Sequence, residues 1–313
     1  MKYLSVVLVV LLSFGFLNAQ AQSDCLKGFK ANRVFTNEEE FKGWLSESRN
    51  DTVAVLECLK ASVSDSIVVD DFTGCVWVLK GLSIKQSSVK VKKAAIKLLL
   101  TLGRSKSSSL STLSINSLKG YPPKCFDGSD LDSISSLITK NRAVYKESVE
   151  LAGAIGDPRF ISVINQVFPN SRDFSKPERW ASYKALARLG DKDALDYCIR
   201  RVSSLPLNDQ VVDVLYPDLI YIGKKEAFDL MIKVLNSDEM RCSSSNPNSD
   251  DKIVCGYRIM ELLAPAIKDF PAKVLPSGDL DSKDYKKTLQ DVRAWFSERG
   301  DKYEIVNNVY PLK

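Results

Sequence analysis

The chain has 313 residues, with 44 Lys and Arg against 39 Asp and Glu, a formal net charge of +5 and 44% hydrophobic residues. This balance belongs to a folded protein of one or two domains, or one long repeat array, and excludes a disordered or collagen-like chain. Histidine is absent and the seven cysteines include no Cys-x-x-Cys pair, which removes Ser-His and Cys-His nucleophiles, histidine general bases and histidine-ligated metals.

The first residues read as a secretory signal. Lys2 gives a positive start, Leu4 to Leu17 is mostly apolar, and Ala19-Gln20-Ala21 puts small residues where a signal peptidase reads. Cleavage after Ala21 leaves 292 residues beginning at Gln22. The apolar run is shorter than the ~20 residues a spanning helix needs. Gln22-Ser23-Asp24 before Cys25 is a poor lipobox, so the expectation is a periplasmic or secreted protein.

Residues 22–140 read as a helical region with a blurred repeat. Thr36-Asn-Glu-Glu39 is a capping box before a helix carrying Phe41, Trp44 and Leu45. Further helices are expected at Thr52 to Ala61, Asp71 to Leu82, Val89 to Leu102 and Leu131 to Ile138. Ser105 to Ser117 is serine-rich, and Tyr121-Pro-Pro123 marks a break. Asp127-Gly-Ser-Asp-Leu-Asp132 lacks the later glutamate of a calcium loop and reads as caps and turns.

One charge feature stands out here. Between Asp71 and Asp127 there is no acid, but ten bases: Lys80, Lys85, Lys90, Lys92, Lys93, Lys97, Arg104, Lys106, Lys119 and Lys124. Lys90, Lys93, Lys97 and Arg104 share one helix face, opposite Val91, Ala94, Leu98 and Leu102. Such a row is either a solvated face or a docking surface for an anionic polymer or a membrane surface.

Residues 141–313 carry an internal repeat. Leu151-Ala-Gly-Ala-Ile-Gly-Asp-Pro-Arg-Phe-Ile161, Ala185-Leu-Ala-Arg-Leu-Gly-Asp-Lys-Asp-Ala-Leu195 and Asp218-Leu-Ile-Tyr-Ile-Gly-Lys-Lys-Glu-Ala-Phe228 align without gaps. Gly156, Gly190 and Gly223 end one helix, and Asp157 and Asp191 cap the next. Pro158 follows at a first helical position, and Lys224 replaces the capping acid in the third copy. Val149, Ala152 and Ile155 correspond to Tyr183, Leu186 and Leu189, then to Tyr216, Leu219 and Ile222. After the turn, Ile161, Ile164 and Phe168 correspond to Leu195, Cys198 and Val202, then to Phe228, Met231 and Leu235. These spacings place each set on one helix face, and no single pair can bury two such stripes alone.

A fourth, irregular unit is expected around Glu261 to Ile267, with Tyr285 to Arg299 as a closing cap helix. Its offset equals the repeat step plus a polar insertion enclosed by Cys242 and Cys255, which are expected to form a disulfide. Cys25, Cys58, Cys75 and Cys125 are available for two more bridges, in any of three pairings. Cys198 falls in a core column.

The Gly-Asp-x-x-Ala-Leu turn between paired helices resembles the short HEAT-like repeat of many bacterial proteins, best over residues 142–236. The resemblance implies an all-α fold, an α-α superhelix of helical hairpins, and a binding or scaffolding role without catalytic residues, cofactor or metal. A protein or peptide partner is the leading expectation, and nucleic acid is not expected outside the cytoplasm. Some HEAT-like families include lyases, so an enzyme working in the concave groove is one alternative. An adaptor that binds anionic envelope polymers through residues 80–124 is another. Arginine and aromatic residues recur in the repeats as candidate anchors. Tyr183 and Tyr216 fall in core columns, whereas Arg179, Trp180 and Tyr221 are expected at the surface.

Overall fold

The computed structural model describes Val76, residues 79–81, 88–168, 173–244, 250–275 and 278–306. The signal segment, the helices expected before Val76, Cys25, Cys58, Cys75 and Lys85 lie outside them. The described chain is mainly helical. It forms two compact units, Met1–Leu151 and Ala152–Lys313, whose boundary falls inside one helix.

In the first unit, α1 (Val89–Leu102) packs on α2 (Ser108–Leu118) and α3 (Gly128–Lys140). Helix α4 (Tyr145–Ile155) follows a short 3-10 turn at Arg142–Val144. Helix α2 corrects the expected run of helices, which placed none in the serine-rich 105–117. Serine competes for backbone hydrogen bonds and is a mediocre helix former. Here its hydroxyls turn inward: Ser111 donates to Ser107 O at 2.7 Å, Ser114 to Leu110 O at 2.7 Å and Ser117 to Leu113 O at 2.8 Å. With their polar atoms satisfied, all three serines are buried beside Leu110, Ile115 and Leu118. Helix α3 is longer than expected because Asp127 and Asp130 form a reciprocal capping box. The Ser129 hydroxyl, the Asp130 N–H and then Lys97 hold the Asp127 carboxyl well below the usual range.

Cys125 is a second correction. It is a buried free thiol in the 3-10 turn Pro123–Cys125, so it takes part in no bridge.

The second unit contains the repeat. After the end of α4 come α5 (Arg159–Val167), α6 (Lys176–Leu189), α7 (Lys192–Ser203), α8 (Asp209–Ile222) and α9 (Lys225–Leu235). A hairpin, β1 (Met240–Ser243) with β2 (Lys252–Val254), leads to α10 (Gly256–Leu263) and α11 (Tyr285–Arg299). Helices α6, α8 and α10 pack in sequence as one layer, and α7 lies against α9 in a second.

The corners are built alike. Gly156, Gly190 and Gly223 have φ of 78°, 106° and 65°, the left-handed conformation that ends a helix. Asp157 Oδ1 accepts from Arg159 N at 3.0 Å and Asp191 Oδ1 from Ala194 N at 2.9 Å. Lys224 offers no side-chain cap. A Cβ on Gly190 would meet no atom within 4 Å, so only its dihedral requires glycine. Gly190→Ala is therefore expected to cost about 1–2 kcal/mol in urea unfolding. A loss within about 0.5 kcal/mol, the range of a neutral surface change, would contradict this.

The core columns follow. Leu186, Tyr216, Leu219, Ile222, Ile164, Leu195, Cys198, Val202, Phe228, Met231 and Leu235 are buried. Ile161 is only half-buried, as are Ile155, Phe168, Tyr183 and Leu189. Phe160, the neighbour of Ile161, takes the interior place in the first copy, whereas Leu195 and Phe228 keep it in the next two, beside buried Ala194 and Ala227.

The insertion sits between α9 and α10 and contains the two strands, which the polar composition did not suggest. Cys242 and Cys255 are at disulfide distance, with Cα atoms 5.1 Å apart. Asp209 at the start of α8 accepts from Ser243 N at 2.8 Å and Ser243 Oγ at 2.7 Å. Arg258 on α10 reaches Asp209 at 3.2 Å and Asp213 at 2.9 Å. The irregular fourth unit runs through a 3-10 turn at Ala264–Ala266. Helix α11 buries Leu289, Val292 and Phe296, as the cap-helix reading expects.

Candidate functional site

The repeat step places α6 beside α8, and their facing residues form a polar seam. Trp180, Lys184 and Arg188 are four residues apart and so share one ridge of α6. Trp180 Nε1 donates to Asp218 Oδ2 and Lys184 Nζ to Asp218 Oδ1, each at 2.5 Å. Lys184 and Arg188 lie 5.4 and 5.1 Å from the Tyr221 ring centroid. Arg188 also donates to Gly153 O at 3.0 Å and to Tyr221 O. A Cβ on Gly153 would stand 2.2 Å from the Tyr221 hydroxyl and 3.1 Å from Ala185 Cα, so glycine is needed there for close approach.

Lys184 is 8% exposed and Asp218 19% exposed. A charge so far from water is tolerated only when paired and hydrogen-bonded. Cys198 lies under this pair. Burial, then the Asp218 charge, pushes its thiol up to about 12, with Lys184 opposing. At neutral pH the thiol stays protonated, which suits packing and not nucleophilic attack.

Beside the seam, α5, α6 and α7 present an aromatic patch. Tyr183 and Tyr197 stack with centroids 3.8 Å apart, and Phe168 meets Tyr183 edge-on at 4.9 Å. Tyr197 is 37% exposed, and Tyr183 and Phe168 are half-buried. Arg179 is exposed, and its charge acts on the Tyr183 hydroxyl. Burial, then Tyr197, still holds that hydroxyl above its ordinary value.

The expected surface anchors therefore divide. Arg179 is exposed, and Trp180 is half-buried and committed to Asp218. Tyr221 is only 8% exposed, which overturns its reading as a surface residue. Helix α8 lies between α6 and α10, so residues beside its core column face neighbours instead of water. Tyr183, expected to pack, is only half-buried. The sequence carried one signal of the seam: Asp218 aligns with Ala185 and Leu151, an acid where the other copies are apolar.

Lys90, Lys93 and Lys97 lie on α1, but Arg104 falls in the turn beyond the helix's last residue, Leu102, and so leaves the expected helix face. Lys90, Lys97 and Arg104 are exposed and Lys93 is half-buried. The opposite face is broader than expected and shifted, with Ala95, Ile96, Leu98, Leu99, Leu100 and Leu102 buried and Ala94 exposed. Lys97 is 3.3 Å from Asp127, so the first acid after the block partly neutralises it. Among the described residues, Lys90 and Arg104 make no ion pair. Lys119 pairs with Glu150 at 2.5 Å. Asp250 and Asp251 are exposed. Among the described residues no helix is long and apolar enough to cross a membrane.

Compared with known proteins, the chain matches no family model, no curated protein and no solved structure.

Proposed function

We propose that this chain is an exported, non-enzymatic binding protein of HEAT-like repeat type, whose stacked helix pairs continue as an α-α superhelix and hold a protein or peptide partner. The observation that carries the reading is the patch of Arg179 with stacked Tyr183 and Tyr197. Arginine and tyrosine are the side chains that most often anchor protein interfaces, because they combine large apolar area with a polar tip. The seam behind it fixes α6, with Arg179 and Tyr183, against α8, and Tyr197 on α7 stacks on Tyr183, so the anchors are held in place before a partner arrives, which lowers the ordering cost of binding. Disulfide distance between Cys242 and Cys255 supports an oxidising compartment, consistent with cleavage after Ala21 into the periplasm or medium.

Replacing Tyr197 by a photo-crosslinking phenylalanine in the native cell tests the partner reading. A discrete adduct is expected from position 197, weakened by Arg179→Glu and missing when the probe sits at exposed Ser162. Equal labelling from both positions would contradict it. A mature protein whose intact mass retained residues 1–21 would contradict export.

A second reading is favoured by the exposed Lys90 and Arg104: an adaptor that takes an anionic polymer on α1 and the turn after it. Binding of such a polymer is expected to weaken steeply with salt and with Lys90→Glu/Arg104→Glu. Salt-independent binding would remove this reading.

A further inference from the structure

A cleft of about 580 Å³ opens between α9, α11 and the turn that follows α11. This lies within the usual range for small-ligand sites. Ile232, Ala294 and Phe296 form its apolar wall, and Asn236 and Ser297 give it a polar end. At its mouth, three groups converge on one point. The Lys225 ammonium sits 4.3 Å from the Tyr303 ring centroid, 3.0 Å from Asp301 and 3.6 Å from Asp229. The Tyr303 hydroxyl donates to Asp229 Oδ1 at 3.1 Å, which orients both the ring and the carboxylate.

An aromatic face flanked by carboxylates is the arrangement that recognises an organic cation. Here the chain's own ammonium already occupies it. The Lys225 nitrogen is shielded from solvent, yet makes no well-directed hydrogen bond. It is held by charge and by the ring alone. Its stem is partly exposed and starts at the first residue of α9, so the side chain can swing out without disturbing the helix. Both carboxylates remain open to solvent, Asp229 at 52% and Asp301 at 87%. Arg293, the cation that lines the cleft itself, is spent on Leu235 O, Ser237 O and Asp238. Glu226 adds a further negative charge near Tyr303.

We propose that this cleft binds a small linear alkylammonium ion, which displaces the Lys225 ammonium from the Tyr303 face and lays its chain along Phe296. The internal lysine then acts as a competitor that sets the affinity. An occupied site lowers apparent affinity by the fraction of time it is free.

Calorimetric titration of the full mature protein with 1,4-diaminobutane tests this, with 1,4-butanediol as the uncharged counterpart. The diamine is expected to bind and the diol is not. Lys225→Ala is expected to tighten diamine binding about tenfold, as for a site its own lysine fills about nine-tenths of the time. Asp229→Asn and Tyr303→Leu are expected to weaken it by about tenfold, with Lys225→Ala as the background and thermal melts reporting that each variant folds. Amide chemical shifts should move at Phe296 and Tyr303. Unchanged affinity in Lys225→Ala, equal binding of the diol, or shifts confined to other helices would each overturn the assignment.

Discussion

Asp218→Ala is expected to lower the stability of the second unit by about 3–5 kcal/mol, the cost of leaving one member of a buried ion pair alone. The remaining member would be Lys184, 8% exposed and donating at 2.5 Å to a carboxylate that the substitution removes. Trp180 loses its acceptor in the same change. Asp218→Asn keeps an acceptor for the indole and should fall between wild type and alanine. Lys184→Met/Asp218→Leu should recover most of the loss, because replacing both charges with apolar groups of similar volume is often neutral or stabilising. Urea unfolding reads all three. A loss below about 1 kcal/mol for Asp218→Ala, in the range of a surface pair, would mean that the seam is hydrated and couples nothing.

The second large effect concerns the hairpin. Cys242→Ala/Cys255→Ala is expected to cost about 3 kcal/mol, the chain-entropy value for a closed loop near 15 residues. The sequence separation here is 13. The double replacement avoids leaving a lone reactive thiol. The contacts of Asp209 and Arg258 with Ser243 remain and should keep β1 near the start of α8. Dithiothreitol should destabilise the wild type by the same amount and leave the variant unchanged. A wild type indifferent to reductant would contradict the bridge.

How far the sequence could be read depended on how local the cause was. The three corners were legible because a left-handed residue after an apolar run calls for glycine within its own turn, whatever surrounds it. The caps at Asp157 and Asp191 were legible for the same reason, as was the missing cap at Lys224. The bounds of helix α11 were readable from Leu289, Val292, Trp295 and Phe296, of which Trp295 is only half-buried. Cys242 and Cys255 were paired on spacing and on the polar segment between them.

What failed depended on partners far away in sequence. Helix α2 is not legible in its sequence because serine propensity is unfavourable until the hydroxyls find carbonyls one turn back. Tyr221 was assigned to the surface from the face of α8 alone, yet Arg188, one repeat step earlier at the equivalent position, lies over its ring. Tyr183 fell in a core column, but its outer side remains open beside Tyr197. The cleft at Tyr303 draws on α9, α11 and the following turn, and no short motif announces it.

The seam joins α6 to α8, so these two helices, with Arg179 and Tyr183 on α6, move as one body. Hydrogen exchange followed peptide by peptide, in wild type and Asp218→Ala, tests it most directly. The claim predicts that the substitution speeds exchange in α6 and α8 together and by a similar factor. Acceleration confined to α8, with α6 exchanging as in wild type, would contradict it.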